Sequence, residues 1–413
     1  MKANRTSRFW IALLAIACGL QVFFCISYLL RHNYNWACDF IYRYNEINCM
    51  HDRIDPFDIF ERKITSEHFR GHDRPDKPDE PEDSRRIVHA YPAWHTPIFW
   101  WYGYTPKWFC LAFLTILYVY SLSLACRWTS QKLAESQTKD LAINLLFIVT
   151  MTLYSFIGIC HSMNYGLLLL GCTLLLCSAL DSNHDILAGI IYSFIMIKPQ
   201  IGVLLFFPLF FSRKYKTIAV SITICLIETC FTACMLRKSP IELILQIPQI
   251  GAPFEKGYLV ESTMKIIGPI GQYIVMGIFI CLAAGGSYLI RNAKEAWIRF
   301  LPAIAFIPFW TYSQPHDWLV ILPCYVFILN SKCKHQRIVE LCFAAEFLRN
   351  LLLYAHSQKW YAIGKEGIIT ILFLAIVFSC YLIVIMDYDE NMRIHNLFSK
   401  LSNFGKIKCS PKT

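Results

Sequence analysis

Three ionisable residues sit where apolar stretches of the chain are interrupted. Asp39 follows the first stretch, Lys198 precedes Pro199 inside another, and His316 lies in the short turn Ser313-Gln314-Pro315-His316-Asp317-Trp318. A carboxylate can take the proton of an attacking hydroxyl. A lysine ammonium can stabilise negative charge that develops on a leaving group, and a histidine can assist either task. The set suits transfer of a group from a lipid phosphate to a hydroxyl. Further polar and aromatic residues gather at the same interruptions: His161 and Asn164 in one turn, Gln200 after Pro199, Gln314 and Asp317 around His316, and Tyr42, Tyr91 and Trp94 in the loop that holds Asp39. Each of the three also has a structural reading. Asp39 could cap a short helix, Lys198 could snorkel to a membrane interface as an anchor, and His316-Asp317 could be a turn with a helix cap.

The elements that carry these residues follow from composition. Of 413 residues, 56% are hydrophobic, 15% aromatic and 16% charged, with mean hydropathy +0.41. Soluble proteins carry about 25% charged residues, and here the apolar residues fall into runs of roughly 15 to 25. That excludes a soluble enzyme with a membrane tail. It also excludes nucleic acid as the partner behind the +10 net charge, because the basic residues lie between the apolar runs. Twelve apolar segments are predicted, at 9–30, 106–126, 141–160, 164–180, 186–197, 199–212, 217–236, 266–290, 300–312, 318–329, 338–355 and 367–386. Four are well short of the roughly 20 residues that a spanning helix needs, and two of these short segments meet at Lys198-Pro199. The expected fold is all-α, a polytopic membrane helix bundle of about twelve transmembrane segments.

Cytoplasmic loops collect Lys and Arg. With the N-terminus placed inside, just over half of the 39 basic residues fall in inner loops and the C-terminal tail, among them Lys2, Arg5, Arg8, Lys132, Lys214, Arg291, Arg299 and Lys332. Both termini are therefore expected in the cytoplasm of a plasma-membrane protein. The run at 9–30 is too long for the apolar core of a signal peptide, and its small-x-small match lies inside it, so it reads as the first membrane helix. The outer loop at 31–105 begins with an aromatic, half-apolar stretch at 36–44 that suits a short interfacial helix. A second amphipathic piece follows at 55–60, then a charged, Pro-rich excursion at 66–86, and an aromatic, Pro-broken return at 91–101. A bundle at 106–387 and a basic tail at 388–413, suited to anionic lipid head groups, complete the chain.

The same topology puts His161, Asn164, Lys198, Gln314, His316 and Asp317 on the outer side with Asp39. The outer turns are very short, which keeps these residues near the membrane surface. Most of the 18 cysteines lie in apolar segments, where Cys behaves as a small hydrophobe. Cys38 and Cys49 share the outer loop, which leaves open both a bridge and two thiols. Glu346 and Arg349, at i,i+3 inside a segment, read as a neutralised pair facing the bundle. No Cys/His spacing indicates a metal site, and no cofactor is expected.

Several motifs occur in one family order: Asp39-Phe40 with Tyr42 and Tyr44 after the first helix, Tyr91-Pro92-Ala93-Trp94 before the second, Lys198-Pro199-Gln200 in a broken segment, and Ser313 to Trp318 late in the chain. In these the sequence resembles glycosyltransferase family 87, membrane enzymes of the C-type (GT-C) superfamily that includes polyprenol-phosphate-mannose-dependent mannosyltransferases. The resemblance spans 9–329. It implies inverting transfer of a hexose, mannose in the named relatives, from a polyprenyl-phosphate-sugar donor to a lipid or glycan acceptor in the cell envelope. It implies Asp39 as general base, Lys198 and His161 at the donor phosphate, and His316 at the phosphate or assisting the base. Tyr42, Tyr91, Trp94, Asn164, Gln200, Gln314 and Asp317 would then line the substrate site. The sequence departs from the family's Tyr-Pro-Pro at Ala93, from its Gly-Gln-x-Asn-like turn at His161-Ser162-Met163-Asn164, and in the long charged insertion at 66–86. Two other classes use similar features. A lipid-linked sugar flippase also has broken helices and buried charges, although no internal repeat is visible. An O-antigen-ligase-like transferase would place its large outer loop late, whereas here it is early.

Overall fold

The computed structural model describes residues 38–51, 91–135, 163–247, 268–310 and 315–330, with a few isolated positions between 144 and 156. Several expectations lie outside the described residues: the 9–30 helix, the pieces at 55–60 and 66–86, His161, Gln314, the last two apolar segments with Glu346 and Arg349, and the tail. So do the side chains of Cys38, Tyr42, Cys49 and His316. What is described is helical, with no strand among the described residues.

The first helix, α1, runs Cys38–His51, and α2 runs His95–Phe99 and continues as a 3-10 turn, Trp100–Tyr104. The long helix α3, Lys107–Glu135, follows. Next come α4, Gly166–Asp181, α5, Asp185–Ile195, α6, Pro199–Phe211, α7, Tyr215–Leu236, and the short α8, Pro240–Leu245. The described chain ends with α9, Ile270–Leu289, α10, Ala296–Phe306, a 3-10 turn at Pro315–Ile321, and α11, Leu322–Asn330. Helix α4 is the hub: it packs on α3, α5, α10 and the Pro315–Ile321 turn, while α5 packs on α7 and α6 on α9 and α10. Close approach is built in by glycine. A Cβ on Gly171 would lie 2.7 Å from Ser121 Oγ of α3, and one on Gly189 would lie 2.6 Å from Val220 of α7.

Three helices, Lys107–Leu133 of α3, α7 and α9, are long and apolar enough to cross a membrane. Their surfaces are arranged for lipid. On α7 the buried side carries Thr217, Ser221, Thr229 and Thr232, while Ile222, Leu226, Ile227 and Phe231 point outward. On α3 the buried stripe is Cys110, Leu114, Tyr118, Ser121, Ala125, Thr129 and Leu133, with Trp108, Ile116, Val119 and Tyr120 exposed. Exposed aliphatic faces and hydroxyl-bearing contact faces reverse the pattern of a water-soluble helix, and small or hydroxylated residues are what membrane helix contacts favour.

The polar contacts fall into two groups. At one end Lys132 Nζ meets Glu295 at 2.6 Å, Lys214 Nζ meets Asp185 at 3.1 Å and Arg299 meets Asp181 at 3.7 Å. These residues come from the loops read as inner. Asp39, Asn164, Lys198 and Asp317, from the loops read as outer, meet at the other end. The aromatic return is tied to that second end too: Trp94 Nε1 donates to Met196 O at 2.9 Å and Thr232 Oγ1 to Ala93 O at 2.8 Å.

Helix α1 is longer and more deeply packed than an interfacial helix over 36–44. Phe40, Arg43, Glu46, Ile47 and Met50 are all buried. The Phe40 ring meets Tyr102 edge-on at 5.9 Å, and Tyr44 Oη donates to Thr105 O at 3.1 Å. The described parts of the 31–105 segment, 38–51 and 91–105, therefore contribute to the core of the bundle.

Candidate functional site

Four elements converge on one hydrogen-bonded chain. The first is the break between α5 and α6. Helix α5 stops at Ile195, and Pro199, which lacks an N–H and disfavours helical backbone in the residue before it, holds Lys198 extended at φ −108°, ψ 91°. The Lys198 carbonyl then opens α6 by accepting from Ile201 N at 2.8 Å and Gly202 N at 3.0 Å. Its side chain turns into the bundle, where only 4% of the residue is exposed.

The second element is the turn before α4. Met163 takes a left-handed φ of 54°, and Asn164 Oδ1 accepts from Gly166 N at 3.1 Å. That is the local turn that Asn side chains favour. Tyr118 Oη of α3 donates to the Asn164 carbonyl. The third element is the Pro315–Ile321 turn, which presents Asp317, fully buried. The fourth is the first turn of α1, where Asp39 benefits from the helix N-terminus and is half-buried.

Lys198 Nζ donates to Asp317 Oδ1 and, at 2.7 Å, to Asn164 Oδ1. Asn164 Nδ2 in turn donates to Asp39 Oδ2 at 2.6 Å. Asn164, Lys198 and Asp317 are buried, and Asp39 is the more accessible end of the chain. Beside it on α1, Arg43 pairs with Glu46 and lies over the Tyr91 ring at 4.6 Å. Tyr91 stacks on His95 at 4.7 Å and packs on Tyr165 at 5.4 Å. Burial alone would pull the Arg43 pKa down, but the carboxylates of Glu46 and Asp39 oppose it and the net direction is up, so the guanidinium stays charged. Burial drives the Tyr91 phenol well above its usual range against the opposing pull of Arg43, which keeps it protonated. Lys198 with Asp317 and Arg43 with Glu46 form matched pairs. Asp39 is the half-buried carboxylate of this cluster, and it could accept a proton from a substrate hydroxyl.

Helix lengths place the cluster along α3. Helices α5 and α6 have 11 and 13 residues, about 16 and 20 Å, and both start or finish at the Lys132 end and meet near Lys198. Tyr118, which touches Asn164, is about 16 Å along α3 from Lys107, and α3 has 29 residues. The cluster thus lies part-way along α3, where the short helices α5 and α6 meet.

The structure brings together Asp39, Asn164, Lys198 and Asp317 and sets Tyr91 beside them. Tyr91 and Trp94 are buried in contacts with protein. Gln200 is half-buried, and its carbonyl accepts from Trp310 Nε1 at 2.6 Å. The backbone of Tyr42 lies in α1 and that of His316 in the turn that holds Asp317. Sequence reasoning missed Arg43 and Glu46, although Asp39, Arg43 and Glu46 follow the i, i+4, i+7 spacing of one helix face. It also missed His95, Tyr118 and Tyr165, for which no local signal exists. Among the described residues, no group of three or more His, Cys, Asp or Glu side chains is placed to hold a metal ion.

Compared with family models, with curated proteins and with solved structures, the chain gives no match.

Proposed function

We propose that the protein is a membrane glycosyltransferase that moves a hexose, mannose by resemblance, from a polyprenyl-phosphate-sugar donor to a hydroxyl of a lipid or glycan acceptor. The bundle would be of the GT-C type with about twelve spans. Both termini would lie in the cytoplasm and the Asp39 end would face out of the plasma membrane. One observation carries the reading: a more accessible carboxylate, Asp39, joined through Asn164 to a buried lysine–carboxylate pair. In this reaction the acceptor oxygen attacks the anomeric carbon and its proton passes to Asp39. The bond from that carbon to the phosphate oxygen breaks, and polyprenyl phosphate leaves with the electron pair. Cations near the breaking bond favour that departure. Lys198 and His161 are assigned to the donor phosphate, and His316 to the phosphate or to assisting the base. Two of the three Lys198 N–H donors are used by Asn164 and Asp317, and the third is the one a phosphate oxygen would take. Tyr42, Gln200 and Gln314 keep their assignment to substrate, whereas Tyr91, Trp94 and Asp317 act as the wall that holds the site.

The decisive experiment incubates the purified protein in detergent with radiolabelled polyprenyl-phosphate hexose and a membrane-lipid extract as acceptor. Acceptor-dependent release of polyprenyl phosphate, with label appearing on the acceptor, is expected. Intact donor after incubation, with the same protein moving the lipid across a liposome bilayer, would instead make it a flippase.

A further inference from the structure

The buried amide in the middle of the chain has a more specific task than touching substrate. Its orientation is forced. Oδ1 of Asn164 accepts from both Gly166 N and Lys198 Nζ, so the amide cannot turn over without setting its own N–H groups against an ammonium and a backbone N–H, and its oxygen against the Asp39 carboxylate. The residue's backbone is held as well, by Tyr118 Oη on its carbonyl and by the left-handed turn at Met163. Asp317 holds Lys198 from the far side. Donors therefore run in one direction, from Lys198 to Asn164 to Asp39, and the last bond fixes Oδ2 of the accessible carboxylate.

We propose that Asn164 is a positioning residue that fixes the Asp39 carboxylate for proton transfer, with the Lys198–Asp317 pair locking the amide that does so. The proposal rests on the reading of Asp39 as general base. Because Asn164 is buried and its N–H reaches Asp39, loss of that donor acts first on the turnover of bound substrate. A carboxylate displaced by about 1 Å from its working position loses on the order of 100-fold in rate.

The test is Asn164→Asp in the full-length protein, with Asn164→Ala as its companion. An aspartate has the size of asparagine and keeps an acceptor oxygen for Gly166 and Lys198, but in place of the N–H that reaches Asp39 it sets a second carboxylate oxygen there, so the two carboxyl groups hold a proton between them and Asp39 loses both its donor and its free ionised state. The expected result is a fall in kcat of roughly 10- to 100-fold with the acidic limb of the kcat–pH profile moved to higher pH, and a smaller change in donor KM and in the Kd for polyprenyl-phosphate hexose than in kcat. Adding Asn164→Asp to Asp39→Asn should cause no further loss, because the group being positioned is already gone. If Asn164→Ala folds poorly, the isosteric variant alone carries the result. Wild-type kcat in Asn164→Asp, or a raised donor KM and Kd at unchanged kcat, overturns the positioning role. A wild-type rate in Asp39→Asn overturns the general-base reading itself, and the positioning role with it. Loss in Asp39→Asn with none in Asn164→Asp removes only the role of Asn164.

Discussion

The two ends of the bundle use the same residue types to different effect. At the Lys132 end the pairs Lys132–Glu295, Lys214–Asp185 and Arg299–Asp181 have side-chain exposures between 15% and 39%. At the Lys198 end the exposures are 5% for Lys198 and 1% for Asp317. Solvent screens the first group, so each pair contributes about 0 to 1 kcal/mol and serves chiefly to tie loops together. Burial makes the second group sensitive to the loss of either partner: a buried pair contributes little net stability, but removing one member leaves an uncompensated charge. The lesson is that ion pairs in this protein have to be judged by burial before composition, and the site belongs to the buried end.

That contrast can be broken or sharpened by substitution. The largest effect is expected from Asp39→Asn, which removes the accessible carboxylate: transfer should fall by about 10²- to 10⁴-fold, the range for loss of a general base, at unchanged protein yield. The next concerns the buried pair. Lys198→Met or Asp317→Leu alone should cost about 3–5 kcal/mol of stability, measured by unfolding in detergent, while the double variant should recover much of that loss. A double variant as unstable as the sum of the singles would show that the two charges are not coupled and would remove the contrast. At the opposite end, Lys132→Met should cost less than about 1 kcal/mol, and that cost should shrink further in high salt.

The smallest effect is on pH dependence. Burial tends to raise the Glu295 pKa, but hydrogen bonds from Lys132 and Trp297 outweigh it and the carboxyl is lowered. A group depressed in the folded state contributes stability that is fully present above its unfolded value, near 4.3, and that is lost as pH falls through the folded value. Wild type should therefore lose slightly more thermal stability than Glu295→Gln between pH 6 and pH 3. Equal losses would show that the exposed pair contributes nothing.

Much of the local architecture was legible beforehand. The segment read at 199–212 is α6 almost residue for residue, 217–236 is α7 with two residues added, and 164–180 is α4 displaced by one or two. Apolar runs report helices because helix hydrogen bonding is local and a membrane-exposed face tolerates little charge. The Lys198 break was legible for the same kind of reason, since Pro199 acts on its own neighbour. The burial of α1 was not. Its half-apolar composition suits an interface as well as a core, and only packing against Tyr102 and Thr105 separates the two.

Residue order alone settles what depends on near neighbours: helical segments and the interrupted helix at Pro199; it also leads to the expectation of Asp39, Lys198 and Asp317 on one side. Their connection depends on residues far apart in the chain. Asn164 and Asp39 are 125 positions apart, Lys198 and Asp317 119, and Lys198 and Asn164 34. No periodicity extends over such distances, and a hydrogen bond forms only when donor and acceptor come within about 3 Å. The folded bundle therefore made Asn164 the link, buried Lys198 with Asp317, and left Asp39 as the accessible end.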